Sequence, residues 1–242
     1  MSHSTLLYSA KLLSYAKVNI GLNIINRSNN GYHVLESLMQ EVGLHDTIDI
    51  KIKNSHGDII IKSIGLKVNC RDSENSCYQI VDYIKQNYNI PNAINIELDK
   101  KIPIGSGLGG GSSNAAIILN YLNKVFNLNI SNEQKVKICK IIGMDASFFI
   151  NGSLQYAENY GEITSPLHPI FKNLFFLIIN PSFSISTKWA YSQINKNLPS
   201  KKMRYNLLAL EGPLKWELFR NDFETIVIPR YPEIGVLKNK MI

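Results

Sequence analysis

The sequence has few cysteines, and their positions do not suit cross-linking or zinc binding. Cys70, Cys77 and Cys139 make an odd number, and no two of them have CxxC spacing. A disulfide framework and a structural zinc site are therefore excluded as the basis of the fold. Because free cysteines are typical of a reducing compartment, we expect a cytoplasmic protein. We also expect no metal site made by the protein's own side chains, because the spacing of the cysteines does not suit one.

Long hydrophobic runs are missing as well. Residues 174–179 form one of the longest, with six apolar residues, whereas a helix needs about 20 to cross a bilayer. We therefore expect no membrane partner. A short apolar run between polar residues is typical of a buried strand, and we expect strands at residues 174–179 and 152–160.

Acidic residues are fewer than basic ones, 19 against 26, which gives a formal net charge of +7. This balance favours anionic ligands, among them nucleotides and nucleic acids. The basic residues are spread along the chain, and no basic stripe interleaved with aromatic residues is present. We therefore expect a small anionic ligand rather than a nucleic acid. For the oligomeric state, we expect a monomer or a weak homodimer.

What the sequence does contain is a series of strand and helix patterns. Alternating apolar residues predict strands at residues 12–25, 47–52, 59–61 and 94–98, with an Asn-Gly turn at residues 30–31. Helical spacing predicts helices at residues 75–88 and 115–126, and another that starts at Ser131. A chain of 242 residues is long enough for one large domain or two smaller ones.

The densest signal is the segment of residues 103–113, here called the glycine loop, which holds five glycines and three serines between a predicted strand and a predicted helix. The first turn of a helix leaves about four amides without partners and favours an anion. Glycines let the backbone approach phosphate oxygens, and Ser112 and Ser113 offer hydroxyls to a phosphate or its metal ion. A glycine-rich turn with a helix cap is the plainer interpretation. The density of glycine directly before a helix favours a phosphate cradle.

Two well-known phosphate-binding patterns do not fit the glycine loop. No Gly-Lys-Ser/Thr follows it, as a Walker A loop requires. No acidic residue lies about twenty positions further on at a strand end, as the dinucleotide fingerprint requires. The loop therefore indicates a phosphate site of another kind.

Asp145 is the candidate for proton chemistry. It lies between Gly143, which is expected to end a helix, and the aromatic pair Phe148-Phe149. A carboxylate with apolar neighbours needs a partner, because burial penalises its charge. Lys17 could supply one from a predicted strand, on which it shares a face with Asn19. Taken singly, each charge is more typical of a surface residue, so the pair gains meaning only beside the glycine loop.

Five segments occur in the order seen in one family. They are residues 16–22 (Ala-Lys-Val-Asn-Ile-Gly-Leu), 30–33 (Asn-Gly-Tyr-His), 103–113, 143–149 and 221–224 (Asn-Asp-Phe-Glu). From about residue 13 onward, the chain resembles the 4-diphosphocytidyl-2-C-methyl-D-erythritol kinases, within the superfamily of galactose, homoserine, mevalonate and phosphomevalonate kinases. The glycine loop indicates the superfamily, whereas residues 31–33 and 143–149 indicate the family.

The resemblance implies an α+β fold of two domains. Residues 1–155 are expected to form an ATP-binding domain similar to the second domain of ribosomal protein S5, and residues 156–242 an incomplete, ferredoxin-like domain on the substrate side. The implied activity is ATP-dependent phosphorylation of the 2-hydroxyl of 4-diphosphocytidyl-2-C-methyl-D-erythritol, in the non-mevalonate route to isoprenoid precursors. ATP chemistry implies Mg²⁺, for which we nominate the hydroxyl of Ser112 or Ser113.

The same resemblance assigns roles to individual residues. Asp145 is the implied catalytic base, and Lys17 is its activating partner. Tyr32, His33 and Tyr191 would hold the cytidine by stacking and hydrogen bonding, with an ordinary buried aromatic as the alternative for Tyr191. Asn19 is assigned to the substrate side. The ATP side would comprise Asn75, Lys100, Pro103, Ile104, Gly105, Ser106, Gly107, Leu108, Gly109, Gly110, Gly111, Ser112 and Ser113.

The chain departs from the family pattern in three places. Members continue beyond residues 221–224 to a third glycine-serine motif, and if the natural chain ends at Ile242 we expect weak or absent kinase activity. Ala146-Ser147 stands where the family has Val-Pro, and we expect the loss of proline to loosen the turn that holds Asp145. Ser106 stands where relatives often have glycine, a minor change if its φ is negative.

Two rival interpretations stand beside the kinase. One is another kinase of the superfamily, acting on homoserine or mevalonate, for which a cytidine clamp at residues 31–33 would be superfluous. The other is a nucleotide-binding or RNA-binding module without kinase activity, which the basic charge and the S5-like fold suggest. The scattered lysines argue against RNA.

Overall fold

The computed structural model describes residues 5–29, 31–171, 174–181, 183–194, 216 and 219–241. These residues form two compact units that interleave along the chain. The first unit comprises the chain up to Lys17 together with Glu41–Ile104 and Leu108–Gly152, and the second comprises Val18–Gln40, Gly105–Gly107 and the chain from Ser153. The predicted division into domains at residues 155 and 156 stays a prediction.

Two long strands contribute residues to both units. Strand β1 spans Leu6–Arg27 and pairs with β2, which spans His33–His56. Both are longer than predicted: β1 begins six residues before residue 12, and β2 covers the predicted strand at residues 47–52. The turn between them has a positive φ of 87° at Gly31, which glycine adopts without strain. Asn30, the other residue of the predicted turn, lies outside the described residues.

The first unit is a sheet covered by helices. Its part of β2 pairs antiparallel with β4 (Asn92–Lys100), which pairs parallel with β3 (Ile59–Gly65). The register places Ile50 opposite Ile96, and the buried residues of both strands alternate with residues that are less buried, as period two requires. Helices α1 (Ser76–Asn87) and α2 (Gly110–Val125) pack against each other.

Two further helices of the first unit pack on α2. They are α3 (Asn132–Cys139) and the single turn α4 (Phe148–Asn151). The Ser131 hydroxyl accepts from the Gln134 amide, and the Gln134 side chain accepts from the Ser131 amide, so a capping box starts α3 where the sequence predicts. The predicted helix at residues 115–126 is confirmed, but it begins earlier, at Gly110, inside the glycine loop.

The second unit is built on the first part of β2. There β2 pairs antiparallel with β5 (Leu154–Glu158), which pairs antiparallel with β6 (Ile163–Pro166). Helices α5 (Thr187–Gln193), α6 (Glu224–Arg230) and α7 (Pro232–Met241) follow. Two small clusters form its core: one contains Leu22, Ile24 and Ile194, and the other Leu38, Leu154 and Phe171.

One predicted strand is wrong. Residues 174–179 are irregular, and their apolar side chains are poorly covered: Phe175 is fully exposed and Leu177 is 75% exposed. A hydrophobic run becomes a strand only when another strand satisfies its backbone groups. Among the residues that the structure describes, no strand pairs with this run.

The mixture of strands and helices agrees with the predicted α+β class. Within the described ranges, no helix has the length and apolar character needed to span a membrane.

Candidate active site

An ion pair joins the two residues assigned to catalysis. Lys17 Nζ lies 3.0 Å from Asp145 Oδ2. The Lys17 side chain is 5% exposed, whereas that of Asp145 is 40% exposed. The lysine therefore approaches from inside the first unit, and the carboxylate retains access to solvent.

A short 3₁₀ turn, Met144–Ser147, presents Asp145. The Ala146 amide donates to the Gly143 carbonyl at 3.2 Å, and the Ser147 hydroxyl donates to the Met144 carbonyl at 2.9 Å. Ala146 and Ser147 are both buried. The Ser147 hydroxyl thus adds a hydrogen bond inside the turn, which opposes the loosening expected from the sequence.

The glycine loop leads directly into α2. Gly109 caps this helix with φ 73° and ψ 17°, and its carbonyl accepts from the Ser113 amide at 2.8 Å. The amides of the first helical turn have no partner within the helix and point outward from its positive end. Gly105 and Gly107 also have positive φ, 69° and 75°, whereas Ser106 does not. Serine therefore fits at residue 106 without backbone strain.

Three glycines allow the loop to pack closely on its surroundings. A Cβ atom at Gly109 would lie 2.7 Å from the Phe149 ring, and one at Gly110 would lie 2.7 Å from Lys100 Nζ. A Cβ atom at Gly111 would lie 3.3 Å from Ser76 Oγ. A larger residue at Gly109 or Gly110 would have to displace these groups, and one at Gly111 would have to push the Ser76 hydroxyl slightly aside. At Gly109 the positive φ favours glycine as well.

The remaining residues of the loop differ in exposure. Leu108 is buried, and its carbonyl accepts from the Lys17 amide at 3.0 Å. Ile104 is exposed and Pro103 is half-buried. The loop is thus anchored at Leu108 to Lys17 of β1, the same residue whose side chain pairs with Asp145.

The two serines nominated for magnesium lie in different environments. Ser113 is buried, and its hydroxyl accepts from the Ser14 hydroxyl at 2.7 Å. Ser112 is half-buried, and its hydroxyl lies 3.8 Å from the position of a Cβ atom at Gly143. Ser113 therefore faces the interior of the unit, and Ser112 is the better nominee for a ligand beside Asp145.

Two residues assigned to the ATP side have structural partners. Asn75 caps α1, and its Oδ1 accepts from the Cys77 amide at 2.9 Å. Lys100 is buried and forms an ion pair with Asp46, with 2.5 Å between Nζ and Oδ2. The assignment of both residues to nucleotide binding stays a prediction.

The residues assigned to the substrate lie in the second unit. Asn19 Nδ2 donates to Ser37 Oγ at 2.6 Å, and this hydroxyl donates to the Gly21 carbonyl at 2.8 Å. The rings of His33 and Tyr191 stack with centroids 5.1 Å apart and an angle of 21° between their planes. The exposed Tyr32 packs on Tyr160, with ring centroids 5.4 Å apart.

The His33 ring is biased toward its neutral form. Burial, and then the positive charge of Arg27, lower the pKa of His33 from 6.5. A neutral imidazole carries one donor and one acceptor nitrogen, which suits the edge of a nucleobase. Tyr191 also packs edge-to-face on Phe223, with centroids 4.9 Å apart, so its ring is held on two sides.

Two of the three cysteines, Cys77 and Cys139, are buried. Burial raises the pKa of Cys77 and of Cys139 to about 12, so neither thiol is a nucleophile at neutral pH. No group of three or more His, Cys, Asp or Glu side chains capable of holding a metal occurs among the residues described. The amides of the glycine loop and the Ser112 hydroxyl have the chemistry to hold a phosphate group and its metal ion.

Sequence reasoning missed several residues that support this site. Asp46, Ser14 and Phe149 all contact the glycine loop or the segment before it. Ser37 holds Asn19. Asp46, Ser14 and Ser37 lie outside the motifs found in the sequence, whereas Phe149 lies in the segment 143–149, whose sequence does not indicate a contact with Gly109. Each of these contacts joins residues far apart in the sequence.

Comparison with known proteins agrees with this geometry. Residues 75–153, which include the glycine loop and Asp145, match the family described as GHMP kinases N terminal domain. A protein of Bacteroides fragilis named 4-diphosphocytidyl-2-C-methyl-D-erythritol kinase is 34% identical over 227 residues, which cover 93% of this chain and 82% of the relative. One of the same name from Acetivibrio thermocellus is 30% identical, with 97% of this chain and 83% of the relative covered.

A solved structure shows the same fold. It is the crystal structure of a 4-(cytidine 5'-diphospho)-2C-methyl-D-erythritol kinase, with a TM-score of 0.74 and 25% identity. The similarity covers 96% of this chain and 82% of that chain.

Proposed function

Because this chain belongs to the family of 4-diphosphocytidyl-2-C-methyl-D-erythritol kinases, we propose that it transfers the γ-phosphoryl group of ATP to the 2-hydroxyl of 4-diphosphocytidyl-2-C-methyl-D-erythritol. The chain is a kinase of the GHMP type. The reaction would serve the non-mevalonate route to isoprenoid precursors in the cytoplasm. The observation that carries the proposal is the Lys17–Asp145 ion pair beside the glycine loop.

The proposed chemistry needs one proton acceptor and a cradle for phosphate. The Asp145 carboxylate takes the proton of the substrate hydroxyl, and the oxygen of that hydroxyl forms a bond to the γ-phosphorus. The bond from that phosphorus to the bridging oxygen breaks, and ADP leaves with the electron pair. Phosphoryl transfer depends mainly on alignment and charge stabilisation, so no covalent intermediate with the protein is required.

The glycine loop would hold the phosphates through the amides of the first turn of α2. Lys17 keeps the Asp145 carboxylate in one orientation, and its own amide is tied to the loop at Leu108. Magnesium, when bound with ATP, neutralises charge on the phosphate oxygens, and the Ser112 hydroxyl is the ligand that we assign to it. Asn75 is assigned to the nucleotide side.

We assign the cytidine of the substrate to the second unit. Tyr32 and Tyr191 offer aromatic faces, and a neutral His33 can pair with the edge of the base. Asn19, whose Nδ2 donates to Ser37, is assigned to the substrate side as well.

A substrate panel tests this proposal. The wild-type protein is assayed with ATP and magnesium on the cytidine substrate, homoserine and mevalonate, and the Tyr32→Ala variant is assayed beside it. We expect turnover of the cytidine substrate only, with a higher KM in the variant. Equal turnover of homoserine or mevalonate, with Tyr32→Ala unaffected, would favour another kinase of the superfamily. ATP binding without phosphoryl transfer, together with RNA affinity that falls steeply with salt, would favour the binding module.

A further inference from the structure

We propose that Asp46 and Lys100 act as a positioning pair, which fixes the backbone of the glycine loop without touching the nucleotide. For Lys100 this role replaces the direct nucleotide binding that the family resemblance implies. The part of this inference that concerns ATP rests on the proposed function. Asp46 is fully buried and the Lys100 side chain is 7% exposed. Their contacts lie within the first unit, at the end of β4 and directly before the glycine loop.

The pair binds backbone groups of Lys101 and Ile102, the two residues directly before the glycine loop. Asp46 Oδ1 accepts from the amides of Lys101 and Ile102 at 2.7 and 2.8 Å, and its Oδ2 accepts from Lys100 Nζ at 2.5 Å. Lys100 Nζ also donates to the Ile102 carbonyl at 2.9 Å. Both backbone groups of Ile102 are therefore bound by this one pair of side chains.

The ammonium also meets the first residue of α2. A Cβ atom at Gly110 would lie 2.7 Å from Lys100 Nζ and 3.0 Å from Ile102 Cγ2. A cation at the positive end of a helix is unfavourable by itself. The Asp46 carboxylate offsets that charge, so Lys100 can stay beneath Gly110.

The same stretch of loop is held by the residues that present the catalytic pair. The Leu108 carbonyl accepts from the Lys17 amide, and a Cβ atom at Gly109 would lie 2.7 Å from Phe149 and 3.4 Å from Lys17 Cγ. Leu108, Gly109 and Gly110 thus contact Lys17, Phe149 and Lys100 in succession. Moving the ammonium would release one of the supports that keep the loop amides in place.

Net stability alone does not account for such a pair. The attraction between two buried charges is largely cancelled by the cost of removing them from water. A buried pair that binds backbone groups nevertheless restricts geometry, and sites that bind phosphate depend on support of this kind. Lys100 has two of its three N–H bonds committed to Asp46 and Ile102, which fits support rather than direct binding.

The test uses Lys100→Met in the full chain, with Lys62→Met as the matched control. Methionine keeps most of the stem volume and removes the charge, while Asp46 keeps its two amide donors. Lys62 forms an ion pair with Glu97 at 3.1 Å in the same sheet, but its side chain is 69% exposed. Hydrogen exchange of the amides at residues 108–113 and the KM values for ATP and the cytidine substrate are measured for both variants.

We expect Lys100→Met to raise the KM for ATP about tenfold, which corresponds to about 1.4 kcal/mol, and to speed amide exchange at residues 108–113. The KM for the cytidine substrate and all values for Lys62→Met should stay within about twofold of the wild type, a spread of under 0.5 kcal/mol. A purely structural role would lower the melting temperature and leave the KM for ATP unchanged, and that result overturns the proposal. If the wild type binds no ATP, the proposed function fails, and hydrogen exchange at residues 108–113 alone tests the positioning role. In that case, amide exchange in Lys100→Met that is unchanged from the wild type overturns the proposal.

Asp46→Asn provides a second line of evidence. In a double-mutant cycle, the variant that carries both Asp46→Asn and Lys100→Met is compared with the two single variants. Because the pair acts as one unit, the double variant should weaken ATP binding no more than the single variant with the larger loss. Additive losses would contradict the proposal. If Asp46→Asn does not fold, the comparison of Lys100→Met with Lys62→Met decides the question.

Discussion

Lys17 and Asp145, which are 128 positions apart in the sequence, meet with 3.0 Å between Nζ and Oδ2. The amide of the same lysine donates to Leu108 in the glycine loop. One residue therefore links the proposed base to the proposed phosphate cradle, and disturbing it should affect both.

Replacing the proposed base should abolish most of the chemistry and spare nucleotide binding. Asp145→Asn keeps the shape of the side chain but removes the proton acceptor, so we expect kcat to fall by about 10²- to 10⁴-fold. ATP affinity, measured by calorimetry with a non-hydrolysable analogue, should change little. Glu97→Gln, at the exposed ion pair with Lys62, is the control and should retain the wild-type kcat. An Asp145→Asn variant with near wild-type kcat would remove Asp145 from the mechanism.

The two serines at the start of α2 should separate into a ligand and a structural residue. Ser112→Ala should raise the apparent KM for magnesium-bound ATP by roughly 10- to 100-fold, the range expected for a lost bond to a charged group. Ser113→Ala removes one hydrogen bond of the buried Ser14 hydroxyl, which keeps Asn114 Oδ1 as an acceptor, and should lower the free energy of unfolding by about 1 kcal/mol with little change in KM. Urea unfolding and steady-state kinetics on both variants make the comparison. The reverse pattern would show that Ser113 is the ligand.

Two glycines of the loop allow backbone strain to be distinguished from steric clash. Gly107 and Gly109 have nearly the same φ, 75° and 73°, but only Gly109 has an atom within 4 Å of its Cβ position. Gly107→Ala should therefore cost about 1–2 kcal/mol of unfolding free energy from strain alone. Gly109→Ala should cost more and should also weaken ATP binding, because the Phe149 ring must move. Equal losses in the two variants would show that the contact with Phe149 is unimportant.

The His33 ring should make stability depend on pH in a defined direction. Burial and Arg27 lower its pKa from 6.5, so folding favours the neutral ring. The resulting stability is present above pH 6.5 and is lost as the pH falls through that value toward the lower pKa of the folded protein. Urea unfolding on either side of pH 6.5 should show this loss in the wild type and less of it in His33→Gln.

A second variant tests the cause of that shift. Arg27→Met removes the positive charge, so the pKa of His33, followed by proton NMR, should move back toward 6.5. Because burial is the larger cause, the return should be partial. A pKa that is unchanged in Arg27→Met would contradict the assigned contribution of Arg27.

The sequence predicts the local elements of this fold better than its long-range contacts. Alternation located β4, and helical spacing located α1 and α2, although α2 begins at Gly110 rather than at the predicted residue 115. The buried pair of Asp46 and Lys100 joins positions 54 apart, and no local pattern marks Asp46 as the partner. Hydrophobicity also predicted a strand at residues 174–179, but apolar side chains alone do not supply a pairing strand.

The candidate site divides in the same way. Lys17 and Asp145 could be proposed because their motifs match a known family, and the structure brings them together. The different environments of Ser112 and Ser113 could not be foreseen, because they depend on Ser14 of a distant strand. The hydrogen bond from Ser147 to Met144 could not be foreseen either, because a serine in the sequence does not indicate which carbonyl its hydroxyl binds.

Phosphorus NMR of the complete reaction tests the central claim most directly. The wild-type protein is incubated with ATP, magnesium and 4-diphosphocytidyl-2-C-methyl-D-erythritol, and the spectra are followed with Asp145→Asn in parallel. We expect ADP and a new phosphomonoester on the substrate's 2-hydroxyl to form in equal amounts with the wild type, and far more slowly with the variant. ADP with free phosphate and no phosphomonoester, or a phosphomonoester formed equally fast by Asp145→Asn, would contradict the account.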